Sequence, residues 1–145
     1  MTSQLNVDTI VDKAGSGGSN VKMANTSTYV SDGGSAIQNT VQGLAKAWGN
    51  YDYDGTQAFA DSFNFASITD RATGKGTLAF TNNMSNATYA ILTNNVIDEG
   101  SYAGTNHVEH DSAATTSTVG TAGMHDVQSF TDIEVAGVDI KGDLA

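Results

Sequence analysis

The chain has 145 residues, sixteen acidic and six basic side chains, a net charge of −10 and no cysteine. That length suits a single core, the charge repels a phosphate backbone and so excludes nucleic-acid binding, and the missing thiol removes disulfides, zinc-thiolate centres and a cysteine nucleophile. Thr, Ser, Asn and Gly supply 59 residues whereas Leu, Ile, Val and Phe supply only 28, which predicts a thin interior that gains stability by association, as in a homo-oligomer. No apolar run is long enough to cross a membrane as a helix, and the first residues do not read as a secretion signal, so membrane insertion is not expected.

Taken in order, Leu5, Val7, Thr9 and Val11 alternate with Asn6, Asp8, Ile10 and Asp12, the period of a strand. Gly15 to Asn20 then reads as a linker, so residues 1–34 form an extended arm and residues 35–145 the body. Over Ser35 to Trp48 the apolar positions satisfy both a helix and a strand. Gly49-Asn50 and Asp54-Gly55 bracket Tyr51 and Tyr53 with turn formers. Phe59, Asp61, Phe63 and Phe65 alternate as one strand, and Ile68 to Phe80 reads as a hairpin about Thr73-Gly74-Lys75-Gly76. Tyr89 to Leu92 is apolar on both faces and is expected to lie centrally in a sheet. Residues 98–112 read as a long loop, and Thr115 to Thr121 as a strand with one wet face. Between Ile133 and Ile140 the apolar parity changes, which predicts a β-bulge at Ala136-Gly137. Short strands at this spacing predict an all-β fold, an antiparallel β-sandwich or jelly-roll-like knob carrying the arm.

Few residues point to chemistry. Asn50-Tyr51-Asp52-Tyr53-Asp54-Gly55 with Asp61 follows the early spacing of a calcium loop, but Asn stands first and Asp last, and strand rather than helix follows, so an acidic turn is the better reading. His107, Glu109, His110 and Asp111 are metal-ligand types at a spacing that fits neither zincin pattern. No serine elbow is present, and sixteen acids make any carboxylate pair uninformative, so no catalytic residue, no metal and no cofactor is assigned. Asn25, Asn83 and Asn86 open glycosylation-type triplets that read as turns. Among the aromatics, Trp48 is expected to fill the core, while Tyr51 and Tyr53, beside turns, are the candidates for stacking on a glycan. Leu5, Val7, Ile10 and Val11 are the candidates for docking the arm onto the open sheet edge of another protein.

Leu5-Asn6-Val7-Asp8-Thr9-Ile10 with Ala14-Gly15, Gly43-Leu44-Ala45-Lys46-Ala47-Trp48, Ser62-Phe63-Asn64-Phe65-Ala66-Ser67-Ile68-Thr69-Asp70 and Gly76-Thr77-Leu78-Ala79-Phe80-Thr81 occur in an order and spacing that resembles tail-fibre-type virion proteins of marine and cyanobacterial tailed phages. The resemblance spans residues 5–92, and more loosely the strands at 115–117 and 133–140. It implies a non-enzymatic, β-rich protein on the virion surface, made in the host cytoplasm and partnered by other capsid or tail proteins. A 34-residue arm reaches on the order of 110 Å at ~3.3 Å per residue, which suits a knob, as a capsid decoration or on a fibre, rather than a complete fibre. The alternatives are a receptor-binding tip that reads a host surface glycan and a small free lectin or glycan-degrading enzyme.

Overall fold

The structure, a computed structural model, describes residues 28–30, 37–97, 103–124 and 129–145. The candidate docking residues Leu5, Val7, Ile10 and Val11 lie outside them, as does most of the expected arm. Strands β1 (Thr28–Val30) and β2 (Ile37–Asn39) pair as a two-stranded ribbon, followed by a one-turn helix α1 (Thr40–Gly43) whose N-cap, Asn39, accepts from Gln42 N at 2.8 Å. Then come β3 (Ala45–Asp52), β4 (Ala58–Phe63), β5 (Phe65–Ala72), β6 (Lys75–Phe80), β7 (Ala90–Thr93), β8 (Asn95–Ile97), β9 (Ala103–Val108), a single 3-10 turn at His110–Ser112, β10 (Thr118–Met124) and β11 (Ala136–Lys141). The segment 35–48, which satisfied two periods in sequence, thus holds strand, helix and strand in turn.

Two antiparallel sheets pack face to face, in strand order β4-β3-β11-β7 and β5-β6-β10-β9-β8, so the expected all-β sandwich is the fold. Because branched aliphatic residues are scarce, rings carry the core. Tyr53, Tyr51, Phe59, Phe65, Phe80 and Tyr89 form one unbroken row of edge-on and stacked contacts with centroids 5.2–6.0 Å apart. Each such pair adds about 0.5–1.5 kcal/mol beyond the area it buries. Gly49 makes the row possible, since a Cβ there would stand 2.9 Å from the Phe59 ring and 3.2 Å from that of Phe65. Leu78, Val119, Ile133, Val138 and Ile140 fill the space around the rings.

The chain passes between sheets at Asn64, the one described non-glycine residue with positive φ, at 60°. Its side chain stabilises that left-handed turn. Nδ2 donates to the carbonyls of Lys46 and Asn82 at 2.9 and 3.1 Å, and Oδ1 accepts from Asn82 N at 2.7 Å. The predicted single strand through residue 65 is therefore two strands, one in each sheet. The predicted hairpin is present, with Thr73-Gly74 as its tip and Gly74 at φ 66°.

Four expectations are corrected. The strand at 90–93 is an edge strand paired only with β11, because Leu92 turns outward and is 52% exposed. Residues 103–108 are strand, since a polar side chain such as Asn106 still finds partners inside the sandwich. β10 has no wet face: it lies at the centre of its sheet, with the 3-10 turn laid over it so that Ser112 abuts Gly120. No bulge occurs at Ala136-Gly137, where the register to β3 is continuous; Ile133 lies before the strand and its carbonyl accepts from Tyr53 N at 3.0 Å. The bulge falls opposite Ile140 and Lys141 and inserts Lys46 into β3.

Candidate functional site

The period of β3 fixes what each face of its sheet carries. Ala47, Gly49 and Tyr51 turn inward, which leaves Trp48 and Asn50 outward. Cross-strand register then aligns four side chains over the whole sheet. Phe63 on β4 opposes Trp48 on β3, Trp48 opposes Asp139 on β11, and Asp139 opposes Leu92 on β7. Phe63 is 51%, Trp48 40% and Leu92 52% exposed. The described residues place nothing over this row.

Trp48, Asn50, Leu92, Asn94 and Asp139 line a shallow cleft of about 320 Å³ along the row. Asn94 is fixed there by two backbone links to β11, its N–H donating to Gly137 O at 3.2 Å and its Oδ1 accepting from Gly137 N at 2.5 Å. Asp139 is paired with Lys141 through Oδ2, while its Oδ1 is buried without a hydrogen-bond partner. The cleft thus offers a flat indole and an outward amide at Asn50, beside an Asp139 carboxylate that is paired with Lys141. Those groups suit a ligand with an apolar face and hydroxyl edges.

The two tyrosines proposed in sequence for glycan contact are not on the surface. Tyr51 and Tyr53 are each 1% exposed and belong to the ring row of the core. The Tyr53 hydroxyl hydrogen-bonds Thr121 Oγ1, and that of Tyr51 accepts from Asn106 Nδ2 at 3.0 Å. Burial pushes both phenols above their ordinary value. Trp48, expected in the core, lies at the surface instead. Sequence reasoning judged residue size and nearby turns; the discriminating signal was parity, since Tyr51 and Tyr53 share the odd positions of Ala47 and Gly49.

The stretch 50–61, read as an acidic turn, holds the end of β3, the connection at 53–57 and the start of β4. Asp52 Oδ1 accepts from Asp54 N at 2.6 Å, and Asp61 stands across the ladder from Asn50. At the second cluster, the buried Glu109 carboxylate is held between the Arg71 guanidinium and Lys75 Nζ, the latter at 2.7 Å and also 3.9 Å above the Phe130 ring. His107 Nε2 is 2.6 Å from Thr105 Oγ1. Among the described residues no three histidine or acidic side chains gather as metal ligands. The Arg71–Glu109–Lys75 clamp was not anticipated, because Arg71 reaches it only through a bulge in β5 that sequence does not mark. Asn86 caps a turn by accepting from Thr88 N at 2.9 Å.

Comparison with family models, with curated proteins and with solved structures gives no match to this chain.

Proposed function

We propose that this chain is a non-enzymatic knob on the exterior of a bacteriophage particle, and that the open face of its four-stranded sheet contacts a neutral glycan of the host surface. The observation that carries the binding role is the row Phe63, Trp48, Asp139 and Leu92, solvent-facing across four strands. Aromatic surface of this extent is costly to leave wet in a chain with so little apolar material, and it marks contact sites. Sugars fit better than peptide because the indole can cover a pyranose C–H face while the outward amide of Asn50 takes hydroxyls. Neutral sugars fit better than acidic ones because the chain carries a net charge of −10. The virion setting is supported by the sequence resemblance over residues 5–92, as capsid decoration or fibre knob among other virion proteins.

The test is binding of the purified chain to host cells and to neutral oligosaccharides, followed by the fluorescence of Trp48, the single tryptophan. Saturable binding that Trp48→Ala abolishes, with the melting temperature kept, is the expected result. Binding indifferent to that substitution would refute the sheet face as the site. Immunogold labelling of particles tests the setting separately, and unlabelled particles would remove it.

A further inference from the structure

The cleft at Trp48 has a neighbour on the same face of the four-stranded sheet. Gln42, Thr88, Ala90, Lys141 and Asp143 help to line a second hollow of about 380 Å³. Two strands run from one hollow to the other. On β11 Asp139 borders the first and Lys141 the second, and on β7 Leu92 borders the first and Ala90 the second. Register sets Asp139 opposite Leu92 and Lys141 opposite Ala90, while Ile140 and Ile91 between them pack toward the core. Residues two apart on a strand share a face, so Lys141 and Ala90 stand on the side that carries Trp48. The Lys141–Asp139 ion pair spans the boundary between the hollows.

The two hollows differ in chemistry. The first presents the indole, whereas the ring of Tyr89 beside the second is buried edge-on against Phe80. What the second presents instead is polar and held in place. Gln42 Nε2 on α1 donates to Asp143 Oδ2 at 3.3 Å, and Thr88 donates to Asn86 Oδ1 from N at 2.9 Å and from Oγ1 at 2.7 Å. These bonds leave Gln42 its amide carbonyl and a second N–H, and leave Thr88 the lone pairs of its hydroxyl. Such a mixture of donors and acceptors matches sugar hydroxyls, which both donate and accept, and the Asp143 carboxylate disfavours an anionic unit. From Val138 in the first lining to Lys141 in the second, β11 advances roughly 10 Å at ~3.3 Å per residue, farther than one pyranose ring reaches. We propose that the ligand is a linear neutral oligosaccharide, with one unit stacked on Trp48 and a later unit hydrogen-bonded by Gln42 and Thr88 in the second hollow. This rests on the glycan reading of the sheet face and deepens it, since a single terminal sugar would use only the first hollow.

Titration of the full chain with glucose, mannose and galactose oligomers of increasing length, followed by Trp48 emission and by calorimetry, tests the proposal. Affinity for the series that binds should rise by about tenfold between the monosaccharide and a chain that spans both hollows. Ala90→Phe fills the second hollow from an exposed position and should cancel that gain, with the melting temperature kept. Gln42→Leu with Thr88→Val, both exposed in the unliganded chain, decides the matter if the phenylalanine variant folds poorly, and should cut the gain by about fivefold. Binding that does not strengthen with length, or a gain with length that neither variant reduces, overturns the second hollow while leaving the Trp48 cleft in place. A wild-type chain that binds none of the oligomers and no host cells removes the glycan reading, and this proposal with it.

Discussion

The Tyr51 hydroxyl on β3 accepts a hydrogen bond from Asn106 Nδ2 on β9 at 3.0 Å, a polar link between the two sheets through an otherwise aromatic core. The same amide donates to Gly137 O at 3.1 Å, so one buried side chain ties β9 to both β3 and β11. Replacing Asn106 with Leu should cost about 1–3 kcal/mol, since it takes a donor from the buried Tyr51 phenol and one of the two N–H donors from Gly137 O. Tyr51→Phe removes a single partner and should cost about 1 kcal/mol. Urea denaturation of both variants measures the difference, and equal losses would contradict the shared role of the amide.

Asn64 sits at the corner where the chain leaves one sheet for the other. Asn64→Gly loses its side-chain hydrogen bonds but keeps the positive φ, whereas Asn64→Ala loses the bonds and adds about 1–2 kcal/mol of left-handed strain. The alanine variant should therefore be the less stable of the two by that amount in thermal or chemical unfolding.

Alkaline titration should separate folded from unfolded chains. Burial holds Tyr51 and Tyr53 above the ordinary phenol value and pushes Tyr89 up to about 12. In the unfolded chain each ionises near 10, so above that pH the native state binds more protons than the unfolded one. The stability these groups contribute is complete below pH ~10 and falls as the pH rises through the folded values. Phenolate absorbance of the native protein should lag that of the urea-unfolded chain. Coincident curves would show that the rings are not buried.

Glu109 is the hub of the clamp that holds the turn at 110–112 against the outer face of the five-stranded sheet. Glu109→Gln removes the buried carboxylate between Arg71 and Lys75, leaves only the exposed Asp111 carboxylate near them, and should cost about 3 kcal/mol. Asp111→Asn should change stability by less than about 1 kcal/mol, because that carboxylate is 73% exposed and 3.7 Å from Lys75. Melting temperatures of the two variants check the ranking.

Trp48 is the only tryptophan, so its emission reports on the sheet face alone. At 40% exposure it should be quenched appreciably by acrylamide in the folded state, with a modest further gain on unfolding. Quenching that appears only on unfolding would place the indole inside.

Period-two alternation and turn chemistry made the sheets legible in sequence, down to the Thr73-Gly74 hairpin. Trp48 and Tyr51 were misplaced together because they were judged by size and neighbouring turns instead of by the shared parity of Ala47, Gly49 and Tyr51. Both faces of β3 carry plausible core residues, and only pairing with β11 and the space left by Gly49 decide between them. The corner at Asn64 was hidden because alternation continues across it, Phe63 pointing out of one sheet and Phe65 into the other's core. Strand β9 was read as loop because its polar residues suit solvent, although buried Asn106 donates through Nδ2 to Tyr51 and Gly137. The clamp depended on a bulge, and a bulge moves a side chain to the opposite face without any change in composition.

The place of β11 between β3 and β7 also governs how the molecule comes into being. Residues 45–52 and 90–93 each present an unfinished edge until residues 136–141 arrive to join them, so the four-stranded layer cannot assemble from its own early segments. The local pairs β3–β4 and β5–β6 can form early, but completing this layer waits on long-range loop closure, which predicts slow folding.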